Sequence, residues 1–191
     1  MNTFEEIDAA IVADPENKVF TSAGVRPLYS VHEEARLLII GQAPGAKTVD
    51  AGIFWKDTSG DRLREWLGIS ENEFYSTNKL AILPMDFYFP GKGKSGDLPP
   101  RKGFAERWHK PLLEKMPEIA LTIVIGQYAQ AYYLKDKRTT TELVRNFEQF
   151  LPRYFPLVHP SPRNNIWMAK NPWFEADVLP ELKKRVREVL A

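Results

Sequence analysis

The sequence predicts an α/β sandwich of three layers, with helices on both faces of a mostly parallel central sheet. Three observations predict it. Short apolar runs recur at Arg36–Ile40, Ala120–Ile125 and Tyr154–Val158, the first two closed by a glycine. Continuous apolar runs of that length suit strands buried on both faces, because the helices of a parallel sheet cover it above and below. Segments with helical spacing separate and flank these runs, so strand and helix alternate. At 191 residues the chain suits one domain, 1–191, with a single sizeable core.

The elements follow in order. The first 20 residues carry Phe4, Ile7, Ala10 and Ile11 at helical spacing and predict a helix. Arg36 to Ile40 is the first buried strand, ending in Gly41. Asp61 to Leu67 sets Leu63, Trp66 and Leu67 on one face after Ser59-Gly60, which predicts a second helix. Phe74 to Leu83 alternates loosely and predicts a strand. Met85 to Gly103 is rich in proline and glycine and predicts a long loop, which in a compact domain marks function or disorder. Phe104 to Met116 reads as a helix that Pro111 must interrupt or kink. Ala120 to Ile125 is the second buried strand, and Gln127 to Leu134 the helix after it. Tyr154 to Val158 is the third strand and ends at His159. Glu175 to Leu190 is amphipathic, with Val178, Leu179, Leu182, Val186 and Val189 as its stripe.

Composition narrows the function. Lys and Arg number 26 against 25 Asp and Glu, a net charge of +1, so any nucleic-acid surface must be a local patch. No apolar run reaches the roughly 18 residues of a membrane span. The stretch MNTFEEIDAAIVADPENKVF is acidic and lacks the pattern of a signal peptide, which predicts a cytoplasmic protein. There is no cysteine, which excludes disulfides, thiolate zinc sites and cysteine-held iron–sulfur clusters. His32, His109 and His159 lie far apart without metal-ligand spacing, so no metal and no cofactor is expected.

In open α/β sheets ligands bind beyond the carboxyl ends of the strands. Gly41-Gln42-Ala43-Pro44-Gly45 follows a strand directly, and its glycines and proline allow a tight turn with outward N–H groups. Alone it is equally a plain strand-to-helix turn. Gly52 to Gly60 places Phe54 and Trp55 in a polar loop, where an aromatic can stack on a flipped base or simply pack the core edge. Asn78 follows Tyr75-Ser76-Thr77, and an asparagine amide can both donate to and accept from a pyrimidine edge, or serve a turn. His159 heads HPSPRNN, two prolines stiffening the turn that presents it. Pro90 to Gly96, with Lys92, Lys94, Arg101 and Lys102, is locally basic, but GKGKSG lacks the GxxxxGK[ST] form of a nucleotide-binding P-loop.

Taken in order over roughly Leu37 to Phe174, these segments resemble the uracil-DNA glycosylase superfamily. GQAPG resembles its first motif, which holds the catalytic water and contacts the base. IFWKDTSG resembles the segment whose aromatic stacks on the flipped base, here Phe54. TNKLAILP resembles the strand with the base-reading asparagine, here Asn78. HPSPRN resembles the second motif, whose histidine stabilises charge on the departing base. The chain is most similar to the bacterial branch with a GEAPG-type first motif, but lacks that branch's cluster cysteines. The acidic residue other branches carry at Gln42 or Ala43 is also missing; glutamine orients water but cannot take its proton. Asp57 and Asp86 are the carboxylates that could substitute.

The resemblance implies a monofunctional glycosylase acting on uracil or another deaminated base in DNA, working as a monomer in base-excision repair. His159, Gln42 and Asn78 would be catalytic. Phe54, Asn78, Gly41, Gln42 and Ala43 would bind the base. Ser161, Pro162, Arg163 and Asn164 would enter the duplex, with Lys92, Lys94, Arg101 and Lys102 on phosphates. Two other readings stay open: a DNA-binding relative that no longer cuts, given the missing carboxylate, and an α/β enzyme acting on small nucleotides, given the glycine-rich loops.

Overall fold

In the computed structural model, residues 3–191 are described; Met1 and Asn2, the start of the expected first helix, lie outside the described residues. That helix is shorter than its pattern. α1 spans Phe4–Ala13, capped by the Thr3 side chain. Asp14-Pro15 then breaks it into a 3₁₀ turn, Pro15–Asn17, and a short α2, Lys18–Thr21. Proline lacks the N–H that would continue the helical ladder.

β1 (Leu37–Ile40) leads through the Gly41–Gly45 turn into α3 (Ala46–Ala51). α4 (Thr58–Leu67) starts earlier than its apolar face indicates, because the Asp57 carboxylate accepts the Gly60 N–H and caps it. α5 (Glu71–Ser76) takes the start of the strand expected over 74–83, and only β2 (Leu80–Ile82) is extended. The Ser70 hydroxyl accepts the Glu73 N–H, and this cap carries Phe74 and Tyr75 into helix despite their β preference. The long loop contains a small hairpin, β3 (Lys92–Gly93) with β4 (Gly96–Asp97).

α6 (Phe104–Leu113) runs through Pro111, which sits so near the C-terminal end that it costs one hydrogen bond instead of ending the helix. β5 (Leu121–Ile125) and α7 (Gly126–Leu134) follow as expected, then α8 (Thr140–Arg145), capped by a Thr139/Glu142 box. β6 (Tyr154–Leu157) leads to α9 (Asn165–Lys170). A π turn, Phe174–Val178, precedes Pro180 in the first turn of α10 (Leu179–Leu190).

The sheet has the order β2-β1-β5-β6, with every pair parallel. β1 shows why there are three layers. Leu37 and Ile39 face a cluster built with Leu63 and Trp66 of α4 and Leu182 and Val186 of α10. Leu38 and Ile40 face the opposite cluster, with Ile7 and Ile11 of α1 and Trp108 and Leu112 of α6. Side chains alternate across a strand, so one apolar run serves two cores. The exposed edge of β2 is closed by a reciprocal backbone pair between Ser30 and Ile82 at 2.9 and 2.8 Å. No helix among the described residues is long and apolar enough to cross a membrane.

His109 of α6 is buried beneath the loop that leaves β2. Its Nε2 lies 2.9 Å from the Pro84 carbonyl, which can only accept, so Nε2 carries the proton. Nδ1 therefore accepts from the Tyr133 hydroxyl at 2.5 Å. Burial pushes its pKa from 6.5 down to about 4, opposed by the Pro84 bond. The unfolded chain takes up a proton below its own value near 6.5, while the folded one resists until about 4. This contribution to stability is complete above the unfolded value and lost as pH falls through that window. Between pH 7 and 5, urea melts of the wild type should lose about 2 kcal/mol more than those of His109→Asn. Parallel pH dependences would show that His109 takes up its proton as readily in the fold as in the unfolded chain.

Candidate functional site

Because the strands run parallel, β1, β2 and β6 release their carboxyl-terminal loops on one side of the sheet. These loops enclose a cavity of about 170 Å³. Gly41 to Gly45 and Thr48 form its first wall, Ile82 and Pro84 a second, and His159 a third. The loop before α4 adds Phe54, Trp55, Asp57 and Ser59, and the hairpin adds Asp97. The volume is below the roughly 300 Å³ where sites for drug-sized ligands begin, so the space suits a single ring.

The aromatic loop is held from below. Trp55 has a positive φ of 53°, strained for a bulky side chain. Its carbonyl accepts from Nη1 of the buried Arg64 at 2.8 Å. The same guanidinium donates to the Tyr75 hydroxyl at 3.2 Å and to Asp61 at 2.5 Å. Tyr75 in turn donates to the Phe54 carbonyl at 2.6 Å. Lys56, next along the loop, is ion-paired with Glu71 of α5. Gly60 completes the lock, since a Cβ there would lie 1.7 Å from the Trp55 carbonyl oxygen. The Trp55 indole reaches inward, 5.6 Å from the His159 ring centre to centre. Its Cζ2 is 3.4 Å from where a Cβ on Gly41 would stand.

His159 leaves β6 in a turn that fixes its tautomer. Nδ1 accepts the Ser161 N–H at 3.2 Å, and its own carbonyl accepts from Asn164 Nδ2 at 2.7 Å. Burial lowers its pKa, and the Asp57 charge opposes this. The neutral ring therefore carries its proton on Nε2, the nitrogen not used by the turn. Pro162–Asn164 form a 3₁₀ turn capped by the Ser161 hydroxyl. Arg62 of α4 ties the turn down through the Ser161 carbonyl at 3.3 Å and Asn165 Oδ1 at 2.8 Å.

The hairpin crosses both loops. Gln42, which lines the cavity, donates from Nε2 to the Leu98 carbonyl at 3.1 Å. The Asp97 carboxylate lies 3.8 Å from where a Cβ on Gly45 would be, and Arg163 Nη1 3.5 Å from one on Gly96. Lys92 and Lys94 are exposed on this hairpin.

Gly41, Gln42, Ala43, Phe54 and His159 thus line one cavity. Ser161, Pro162, Arg163 and Asn164 follow His159 in its turn, with Pro162 and Arg163 exposed. Asn78 does not join them. It lies in an exposed turn just before β2, at the amino end of a strand whose carboxyl end meets the cavity. The expected base-reading role for Asn78 fails on that placement. Asp86 is also unavailable: its buried carboxylate accepts from Arg101 Nε at 2.7 Å and Nη2 at 2.8 Å. Arg101 is correspondingly no phosphate contact, since it also bonds Asn17 and packs over Phe20, Tyr88 and Phe104. Asp57 does reach the cavity, and the structure adds Trp55, Thr48, Ser59, Ile82, Pro84 and Asp97 to the expected set. Among the described residues no cluster of three or more His, Asp or Glu is placed to hold a metal.

Comparison with known proteins agrees with this architecture. The solution NMR structure of a candidate uracil DNA glycosylase from Methanosarcina acetivorans superposes with a TM-score of 0.50 at 15% identity, covering 84% of this chain and 94% of that one. At that identity the likeness speaks for the fold. The sequence model of the uracil DNA glycosylase superfamily matches residues 29–183, a span that holds every loop of the cavity. The chain belongs to the uracil DNA glycosylase superfamily.

Proposed function

We propose that the protein is a monofunctional DNA glycosylase that hydrolyses the N-glycosidic bond of uracil, or of another deaminated base, in DNA. The observation that carries this reading is the pairing of a one-ring cavity with a histidine whose turn leaves it neutral and donating from Nε2. The target nucleotide must leave the stack to reach such a cavity. Phe54 stacks on the extruded ring. The C1′–N bond then breaks with its electron pair passing to the base, and Nε2–H of His159 stabilises the anion at a base oxygen. Water adds its oxygen to C1′, and the proton it loses passes through solvent to the departed base anion.

Gln42 positions that water through its amide oxygen. Gln42 cannot accept the proton, so the reaction relies on the reactivity of the sugar cation. The carboxylates of Asp57 and Asp97 supply negative charge at the same cavity. With Asn78 elsewhere, the backbone of Gly41–Ala43 reads the base edge. Pro162, Arg163 and Asn164 prop the vacated space, and Lys92, Lys94 and Lys102 contact phosphates, giving salt-sensitive binding by a monomer.

Oligonucleotides with one uracil, hypoxanthine or xanthine, single- and double-stranded, test the reading by strand scission under alkali after incubation. Scission at uracil is the expected result. Scission only at hypoxanthine or xanthine keeps the enzyme class and overturns uracil as the substrate. Binding without scission on any substrate favours a non-cutting reader of altered bases, to which the neutral Gln42 and Ala43 already lend support.

A further inference from the structure

We propose that Trp55 is a positioning residue for His159: locked by Gly60 and Arg64, its indole fixes the plane of the imidazole and keeps water off its outer face. The inference rests on the glycosylase reading of the cavity and deepens it. An aromatic that merely filled the core would need no strained backbone. Here a bulky residue sits at φ 53°, and a buried guanidinium and a close glycine hold it there. Strain of that kind persists only where the surroundings over-determine it. The indole touches both motif loops, standing 5.6 Å from the His159 ring and against Gly41. It therefore sets the spacing between the loop that contacts base and water and the loop that carries the imidazole.

The consequence is a histidine that stays neutral as pH falls. Burial is the main cause of its lowered pKa, and Trp55 is part of that burial. The ionisable groups sharing the cavity are Asp57 at the start of α4 and Asp97 on the hairpin; Arg163 stands in the turn of His159 itself. Asp57 pulls the other way, so removing the indole leaves its effect less opposed.

The test is an NMR titration of the His159 ring in wild type, Trp55→Leu and Trp55→Phe, beside pH–rate profiles of base release. In Trp55→Leu the His159 midpoint should rise, and the acid limb of the rate should move up with it. kcat should fall by about tenfold with KM changed less than about twofold. Trp55→Phe, which keeps a ring at the position, should recover most of both. An unmoved midpoint in folded Trp55→Leu overturns the proposal. Should that variant not fold, Trp55→Met takes its place: a raised midpoint supports the proposal and a wild-type midpoint overturns it. If the wild type releases no base, the glycosylase reading fails, and the titration still decides whether Trp55 controls the imidazole.

Discussion

Replacing His159 with alanine is expected to slow base release by about 100- to 1000-fold while leaving affinity for the damaged oligonucleotide within about threefold. The ring contributes only when charge gathers on the departing base, so its loss falls on the chemical step. Burial, the Ser161 N–H at Nδ1 and the neighbouring indole all favour one neutral, oriented donor. Such preorganisation is what makes a single donor worth several kcal/mol in a site that excludes water. Single-turnover scission separates chemistry from binding, and fluorescence anisotropy gives the affinity. Parallel loss of both would mean that His159 holds the DNA or the fold. His159→Gln restores a donor without the same geometry, and should recover only part of the rate.

The second large effect is expected at a residue that touches no substrate. Gly60→Ala places a methyl 1.7 Å from the Trp55 carbonyl oxygen, with the carbonyl carbon at 2.4 Å. These are backbone atoms, and the carbonyl is also held by Arg64 at 2.8 Å, so relief requires moving the loop. The loop carries Phe54 and Trp55, and a shift of about 1 Å at a reacting site commonly costs about 100-fold in rate. The crowding itself should cost about 1–3 kcal/mol of stability. Scission rate and urea midpoint should therefore fall together. Thr58→Ala, two residues earlier, is exposed and outside the cavity and controls for substitution in that turn. A Gly60→Ala protein with wild-type rate would show that the loop is free to shift, and would weaken the positioning role of Trp55 as well.

Much of the architecture was legible because burial writes itself into composition. The runs at Leu37–Ile40 and Leu121–Ile125 are apolar but for the buried Thr122, since both faces of those strands are covered. The α10 stripe was readable for the same reason, with Leu182 and Val186 fully buried. α3, α8 and α9 are six residues each, too short for a 3.6-residue period to show. The error at Phe74–Asn78 has a different source. Aromatic residues outweighed a cap, although Ser70 followed by Glu73 was the available signal. Asn78 entered the expected site through the resemblance of TNKLAILP, whereas the strand begins only at Leu80 and leaves Asn78 at its amino end.

Of the cavity, the parts next to a strand end were readable: Gly41–Ala43 and His159. Of the parts brought in by tertiary contact, Phe54 and Asp57 were anticipated and the others were not. Asp97 arrives on a hairpin with no periodicity, and Trp55 depends on a backbone conformation that its residue type disfavours. Arg101 looked like a phosphate contact because a basic residue in a loop carries no mark of the buried carboxylate awaiting it.

Recognition by family and folding as a unit cover different lengths of this chain. The family match spans 29–183, yet Ile7 and Ile11 of α1 lie wholly inside the layer beneath Leu38 and Ile40. The guanidinium that neutralises Asp86 is itself steadied by Asn17 and the Glu16 carbonyl, at 2.8 and 3.1 Å. At the other end Val186 is buried beyond the match, and the Leu190 carbonyl accepts from Lys79 Nζ at 3.0 Å. A fragment trimmed to the matched span would present open apolar surface on both sides of the sheet and take two partners from the guanidinium that holds Asp86. The packed layers thus extend beyond the stretch that carries the family match.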